Sequence, residues 1–354
     1  MSIYSAEDRE RLVHMDLLRI LAAFSVVMLH AAAQKWYSLP IDSSDWFVVN
    51  AYDAAFRFGV PIFVMISGSL FLRDRRELKL RRLYTHHVLR MMILYVIWSL
   101  AYLAFDLRAV PRQDIGSALI WAKLSVNRYH LWFLPMITGV YLILPILKRW
   151  VQNAAKREVE YFLALFFIFQ IGRETVSALT RHMALDFFQN MISLYLVTGY
   201  LGYFVLGYYL TEYELSDSAE KLLYAGGIVS VPVNIVLSSS LSRRAGQPLG
   251  AIFDSYGFFT CLITLALFVC FTKRVSRIPF SKGFGRVVRA ISLSTLGIYL
   301  AHIGVMEVLC GLGFDSTMIH PVLGVPLCAA TAFLLCGVMS YLLHHIPVIG
   351  KYIC

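Results

Sequence analysis

Arg19 and His30 stand 11 residues apart in an apolar stretch that opens Met15-Asp16-Leu17-Leu18-Arg19 and runs on through Ala22, Val26 and Val27. At 100° per residue that separation is about three turns plus 20°, so both side chains fall on one helix face, about 16 Å apart along the axis. A charged group at the centre of a membrane span costs on the order of 3 kcal/mol, so ionisable side chains retained there are functional candidates by default. The chemistry open to this pair follows from the residue types. Imidazole, with an unperturbed pKa of about 6.5, can take up a proton near neutral pH. Guanidinium holds phosphate or carboxylate oxygens in a fixed fork. A structural reading stands beside the chemical one: Arg19 reaches towards headgroups and pairs with Asp16 three residues away, while His30 hydrogen-bonds within a helix bundle.

The elements that must position these groups are membrane helices. Of 354 residues, 58% are hydrophobic and 15% charged, against about 45–50% and about 25% in soluble domains, which excludes the soluble globular class. Apolar runs near 15–34, 51–72, 88–107, 131–150, 160–180, 192–211, 222–240, 253–272, 289–309 and 322–345 each suit a span of about 20 residues. They are too long for barrel strands. The run at 222–240 is the weakest, because it holds Gly226, Gly227, Pro232 and Asn234. The predicted fold is therefore all-α: a polytopic bundle of about ten transmembrane helices forming one integral domain over 1–354.

Formal net charge is +10. With the N-terminus inside, the cytoplasmic segments hold about 21 Lys and Arg against about 9 outside, which predicts both termini in the cytoplasm. The richest loops, Arg73 to Arg90 and Lys273 to Arg289, then face inward, and the charge reports topology, with no nucleic-acid partner. Glu7, Asp8, Arg9, Glu10 and Arg11 precede the first run, so it is expected to be a retained span. The six cysteines, Cys261, Cys270, Cys310, Cys328, Cys336 and Cys354, lie mostly in apolar runs without ligand spacing. They predict neither a disulfide framework nor a metal site.

The Arg-x10-His spacing is followed by Val60-Pro61-Ile62-Phe63-Val64-Met65-Ile66-Ser67-Gly68, His130-Leu131-Trp132-Phe133-Leu134, Tyr203-Phe204-Val205-Leu206-Gly207-Tyr208 and Gly297-Ile298-Tyr299-Leu300-Ala301-His302. With these stretches the chain resembles the membrane acyltransferase-3 family over nearly its whole length. Within it, the closest resemblance is to small O-acetyltransferases of the enterobacterial common antigen type. The resemblance implies a multi-pass protein of the bacterial inner membrane, with acetyl-CoA or another acyl-CoA as donor substrate and no permanently bound cofactor. It implies as acceptor a hydroxyl of a surface glycan or lipid-linked sugar.

Transfer from a thioester to a hydroxyl needs a base for the hydroxyl proton, and His30 is the candidate, with Arg19 as a catalytic and donor-holding partner. The family often shows Arg-x-x-Arg where the basic loop enters the third span. Here His87-Val88-Leu89-Arg90 occupies that place, so His87 and Arg90 are donor-binding candidates, with Arg81 or Arg82 supplying the missing charge. A polybasic loop facing anionic lipid is also a topogenic signal in its own right. Arg57, His130, Tyr299 and His302 are the acceptor-binding candidates, at depths that match His30. Asp53 and Arg57 pair at i,i+4, and that ion pair alone would account for both. Gln170, Arg173 and Glu174 could line the same cleft or form a local ion pair, while Asn234 and Glu307 are buried polar residues of unassigned partner. Two other classes remain open, a proton-coupled carrier or glycan exporter and a membrane scaffold.

Overall fold

The computed structural model describes residues 12–111, 115–117, 119, 120, 123, 128–180 and 197–346. The charged flank 7–11, His182, residues 192–196 of the sixth expected span and Cys354 lie outside them. Among the described residues every regular element is helical, and nine helical stretches are long and apolar enough to cross a membrane. The chain is thus an all-helical, multi-pass membrane protein.

The principal α-helices, some of which combine into one stretch, are in chain order α1 (Val13–Trp36), α2 (Ser44–Ala55), α3 (Gly59–Arg73), α4 (Leu89–Leu107), α5 (Phe133–Asn153), α6 (Lys156–Phe166), α7 (Arg173–Thr180), α8 (Tyr200–Glu212), α9 (Asp217–Ala245), α10 (Phe258–Val269), α11 (Lys282–Gly311) and α12 (Pro321–His344). The tightened or widened turns Tyr84–Val88, Tyr129–Trp132 and Phe167–Gly172 join α4, α5 and α7 to what precedes them. The sixth expected span is described only as α8, whose 13 residues rise about 20 Å.

Helix α1 is the hub and packs on α2, α3, α11 and α12. Its small residues Ala22, Ala23, Ala31 and Ala32 are buried, which lets neighbouring backbones come close. The tightest crossing is α3 on α8. A Cβ at Gly68 would sit 1.8 Å from the Phe204 carbonyl oxygen, and one at Gly207 would sit 2.1 Å from that of Met65. Two backbones touch there, and no larger residue fits at either position.

The expected span at 51–72 is in fact two helices. Helix α2 stops at Ala55, the chain turns through Phe56, Arg57 and Phe58, and α3 resumes at Gly59. Gly59 seats against α1, where a Cβ would meet Ser25 Oγ at 2.3 Å and the Ala22 carbonyl at 2.6 Å. Broken backbone at membrane depth is tolerated where protein or a cavity surrounds it. The break turns Arg57 out of the helix.

The weakest run forms a full helix, α9. Ser216 caps its start, and Gly246 closes it in the left-handed region at φ 65°, a conformation glycine adopts without steric cost. Neighbouring elements pair several of its polar groups. Asn234 Nδ2 donates to Thr260 Oγ1 at 3.2 Å, and Ser238 and Ser239 accept from Asn50 Nδ2 at 2.9 and 3.0 Å.

Candidate active site

Three histidines from three elements meet beside the C-terminal half of α1. His30 comes from α1, His130 from the turn leading into α5, and His302 from the middle of α11. His30 Nδ1 lies 2.8 Å from His302 Nε2, and His302 Nδ1 lies 2.6 Å from the Tyr299 carbonyl oxygen. A carbonyl can only accept, so His302 Nδ1 carries a hydrogen and, in the neutral ring, Nε2 is an acceptor. His30 then donates through Nδ1, and its Nε2 is left with an open lone pair. Burial separates the roles further: His302 is 0% and His130 1% exposed, while His30 is half-buried. His30 is therefore the one histidine of the three that a second molecule can reach.

The backing of this cluster is rigid. His130 Nε2 donates to the Leu300 carbonyl at 3.2 Å, and the Tyr299 hydroxyl donates to the carbonyl of His130. Tyr102 donates to the same Leu300 carbonyl at 2.9 Å and accepts from the Gly304 amide at 3.1 Å. At the edge, Arg128 binds both Glu307 and Asp106. Burial there disfavours the guanidinium charge, and the two carboxylates more than offset it, holding the pKa of Arg128 above its ordinary value.

Near His30 is the break between α2 and α3, whose Arg57 acts electrostatically on the imidazole. Arg57 Nε and Nη2 donate to the two Asp53 oxygens at 2.7 and 2.8 Å, a bidentate pair of fixed geometry. Asp53 is fully buried and Arg57 keeps part of its side chain exposed, 5.0 Å above the Phe253 ring.

The opposite end of α1 is basic and more open. Arg19 Nη1 donates to Asp16 and to Ser292 at 3.2 Å each, and Ser292 donates to Asp16 at 2.6 Å. That ties α1 to α11. A separate cavity of about 310 Å³ is lined by Asp74, Arg76, Lys79, Arg82, His87 and Lys148. His87 sits in the widened turn Tyr84–Val88, its ring edge-on to Phe71 and Tyr141. A second cavity of about 420 Å³ shares Asp74 and Arg76 and adds His14, Arg73 and Lys273. The strip between them is fastened by α5: Lys148 Nζ donates to the Arg76 carbonyl at 2.8 Å, and Gln152 donates to those of Leu72 and Asp74 at 3.0 and 2.9 Å. Burial would raise the Asp74 carboxyl, and hydrogen bonds from the Arg76 side chain and backbone outweigh it, holding the pKa below the ordinary carboxylate value.

The residues singled out in the sequence thus fall into two groups. His30, His130, Tyr299 and His302 come together, with Arg57 nearby; His130, Tyr299 and His302 form the buried backing of His30. Arg82 and His87 share a cavity, whereas Arg90, half-buried one turn further on, and Arg19 line neither cavity. Arg173 pairs with Glu174, Gln170 Oε1 accepts from the Gly199 amide at 2.8 Å, and Glu307 finds Arg128. Tyr129, whose ring stands 5.4 Å edge-on from His30, and Ser292 were not foreseen. The one signal for Ser292 was a small polar residue in an apolar run opposite an intramembrane arginine.

Among the described residues no group of three or more His, Cys, Asp and Glu could hold a metal ion. A family model described as an acyltransferase domain, that of the acyltransferase-3 family, matches residues 12–341. No curated protein and no solved structure matches the chain.

Proposed function

The chain belongs to the acyltransferase-3 family, and on that premise we propose that it is an O-acyltransferase moving an acetyl group from acetyl-CoA to a glycan or lipid-linked sugar hydroxyl. The observation that carries the reading is the hydrogen-bonded series Tyr299 carbonyl, His302, His30. It supports a His30 tautomer in which Nδ1 donates to His302 and Nε2 is the basic nitrogen. In the proposed reaction His30 Nε2 takes the acceptor's hydroxyl proton as the oxygen attacks the thioester carbonyl carbon. The carbon–sulfur bond then breaks, and the imidazolium returns its proton to the departing thiolate. His302 positions the base, and His130 and Tyr299 hold His302 in place at the back of the acceptor pocket.

The donor's phosphates are assigned to the cavity of Arg82 and His87, where Lys79 and Lys148 add charge and Arg90 stands one turn away. Arg19, about 16 Å from His30 along α1, lies between the two ends, at a span suited to the pantetheine arm. The basic cavity faces the cytoplasm in this reading, with both termini there. The resemblance to the enterobacterial common antigen type supports a bacterial inner-membrane location and an acetyl donor.

The broken second span is the observation that favours a carrier, since discontinuous helices build transporter sites. Radiolabelled acetyl-CoA given to purified protein with a glycan acceptor separates the two. Release of coenzyme A with label on the sugar supports the transferase. Passage of a substrate across a proteoliposome with no covalent change supports the carrier.

A further inference from the structure

We infer that the accessible side of His30 is a pyranose cleft whose platform is the ring pair Tyr129 and Trp132, with Arg57 and Asp254 on the facing wall to bind ring hydroxyls. This rests on the reading of the acceptor as a sugar and names the residues that hold it. The starting point is an exclusion. His130, Tyr299 and His302 are at most 5% exposed, so none of them presents a surface to an acceptor, and His30 alone does not bind one.

What is exposed beside His30 is aromatic. Tyr129 to Trp132 is a 3₁₀ turn, in which residues i and i+3 eclipse. The sequence Tyr129-His130-Leu131-Trp132 therefore puts its two large rings on one face and sends His130 and Leu131 into the core. The exposures agree: 59% for Tyr129 and 42% for Trp132, against 1% for each of the two between them. The Tyr129 ring stands edge-on to His30. Trp132 lies 5.3 Å from the ring of Tyr200, tilted by 33°, and Tyr200 in turn packs on Tyr256 at 4.9 Å. The platform is thus supported from behind by α8 and the chain before α10. Arg57 and the exposed Asp254 interact electrostatically with each other and with Tyr200, and Arg57 does so with Tyr129 as well.

Flat rings opposite a guanidinium and a carboxylate match a pyranose, whose C–H faces stack on aromatics while its rim of hydroxyls both donates and accepts. Tyrosine and tryptophan give that contact area at low conformational cost. A fatty chain would use no charge on the facing wall.

The test is saturation-transfer NMR on the full-length detergent-purified protein, with methyl β-glucopyranoside and methyl β-N-acetylglucosaminide as probes and sorbitol as the acyclic control. The expected result is transfer to the axial ring protons of the pyranosides and little to sorbitol. Trp132→Ala and Tyr129→Ala should lose it, Trp132→Phe should keep it, and Tyr161→Ala, which removes an exposed ring on α6, should leave it unchanged. In acyl transfer Trp132→Ala should raise acceptor KM about tenfold with donor KM unchanged. Absence of ring-proton transfer in the wild type, equal transfer to sorbitol, or a full signal in both alanine variants overturns the cleft. Because the NMR readout uses no acyl donor, a protein that binds pyranosides through these rings yet transfers no acyl group would contradict the transferase reading alone.

Discussion

His30 and Arg82 sit towards opposite ends of the bundle, and their surroundings are built on opposite principles. The groups that hold His30 directly are neutral and buried, an imidazole backed by a carbonyl and a hydroxyl, with the Arg57–Asp53 and Arg128–Glu307 pairs further out. Around Arg82 they are formal charges, largely exposed, and several are already paired, Arg73 with Glu212 at 3.1 Å and Arg76 with Asp74 at 2.9 Å. A buried hydrogen-bonded network fixes geometry and costs much to disturb. Exposed charges in water are individually weak and screened by salt. The proposed function puts chemistry at the first end and recognition of an anionic group at the second, and the contrast says how each should respond when broken.

The largest effect should follow His30→Ala. Loss of a positioned base costs about 10²–10⁴ in rate, so kcat should fall by about a thousandfold while donor affinity stays within twofold. Next comes His302→Gln, which retains burial but alters the partner that fixes the His30 tautomer. A fall of about a hundredfold in kcat, with a changed pH–rate profile and little change in either KM, would show that His302 acts through His30. An unaltered pH profile would reduce His302 to packing.

Arg82→Gln should behave in the other manner, raising donor KM about tenfold with kcat unchanged at saturation, the size of one charge-assisted contact to phosphate. The defect should shrink as salt is raised, because the wild type loses the same attraction. Smallest of all is Asp74→Asn. Since the folded pKa of Asp74 is depressed, the latch it forms with Arg76 is fully present above pH about 4 and is lost as pH falls through the lower folded value. Donor KM should rise over that acid range in the wild type and be raised and flat in the variant; parallel profiles would remove Asp74 from the account.

How much of this could be read from the sequence depended on whether the signal was local. Arg19 and His30 were visible because both interrupt one apolar run, and the Asp16 partner of Arg19 was three residues away. The bond from His30 to His302 was not, since it joins α1 to α11 across 272 positions and nothing in either run states their register. The break at Phe56–Phe58 had a local signal that went unread, Gly59-Val60-Pro61, since a proline is tolerated in the first turn of a helix and disfavoured in its interior. The seating of Gly59 on α1 adds a tertiary cause. Conversely Gly226, Gly227, Pro232 and Asn234 made the weakest run out of one that forms a full helix, in which neighbouring Thr260 and Ala54 accept from the asparagine amide nitrogen.

The division between the two ends is tested most directly by a structure with a non-hydrolysable acetyl-CoA analogue bound. The account predicts the phosphates among Lys79, Arg82, His87 and Lys148, with the arm running past Arg19 and the acyl carbonyl one hydroxyl's width from His30 Nε2. An analogue whose acyl carbonyl lies away from the histidine cluster, or whose phosphates avoid the basic cavity, would contradict it.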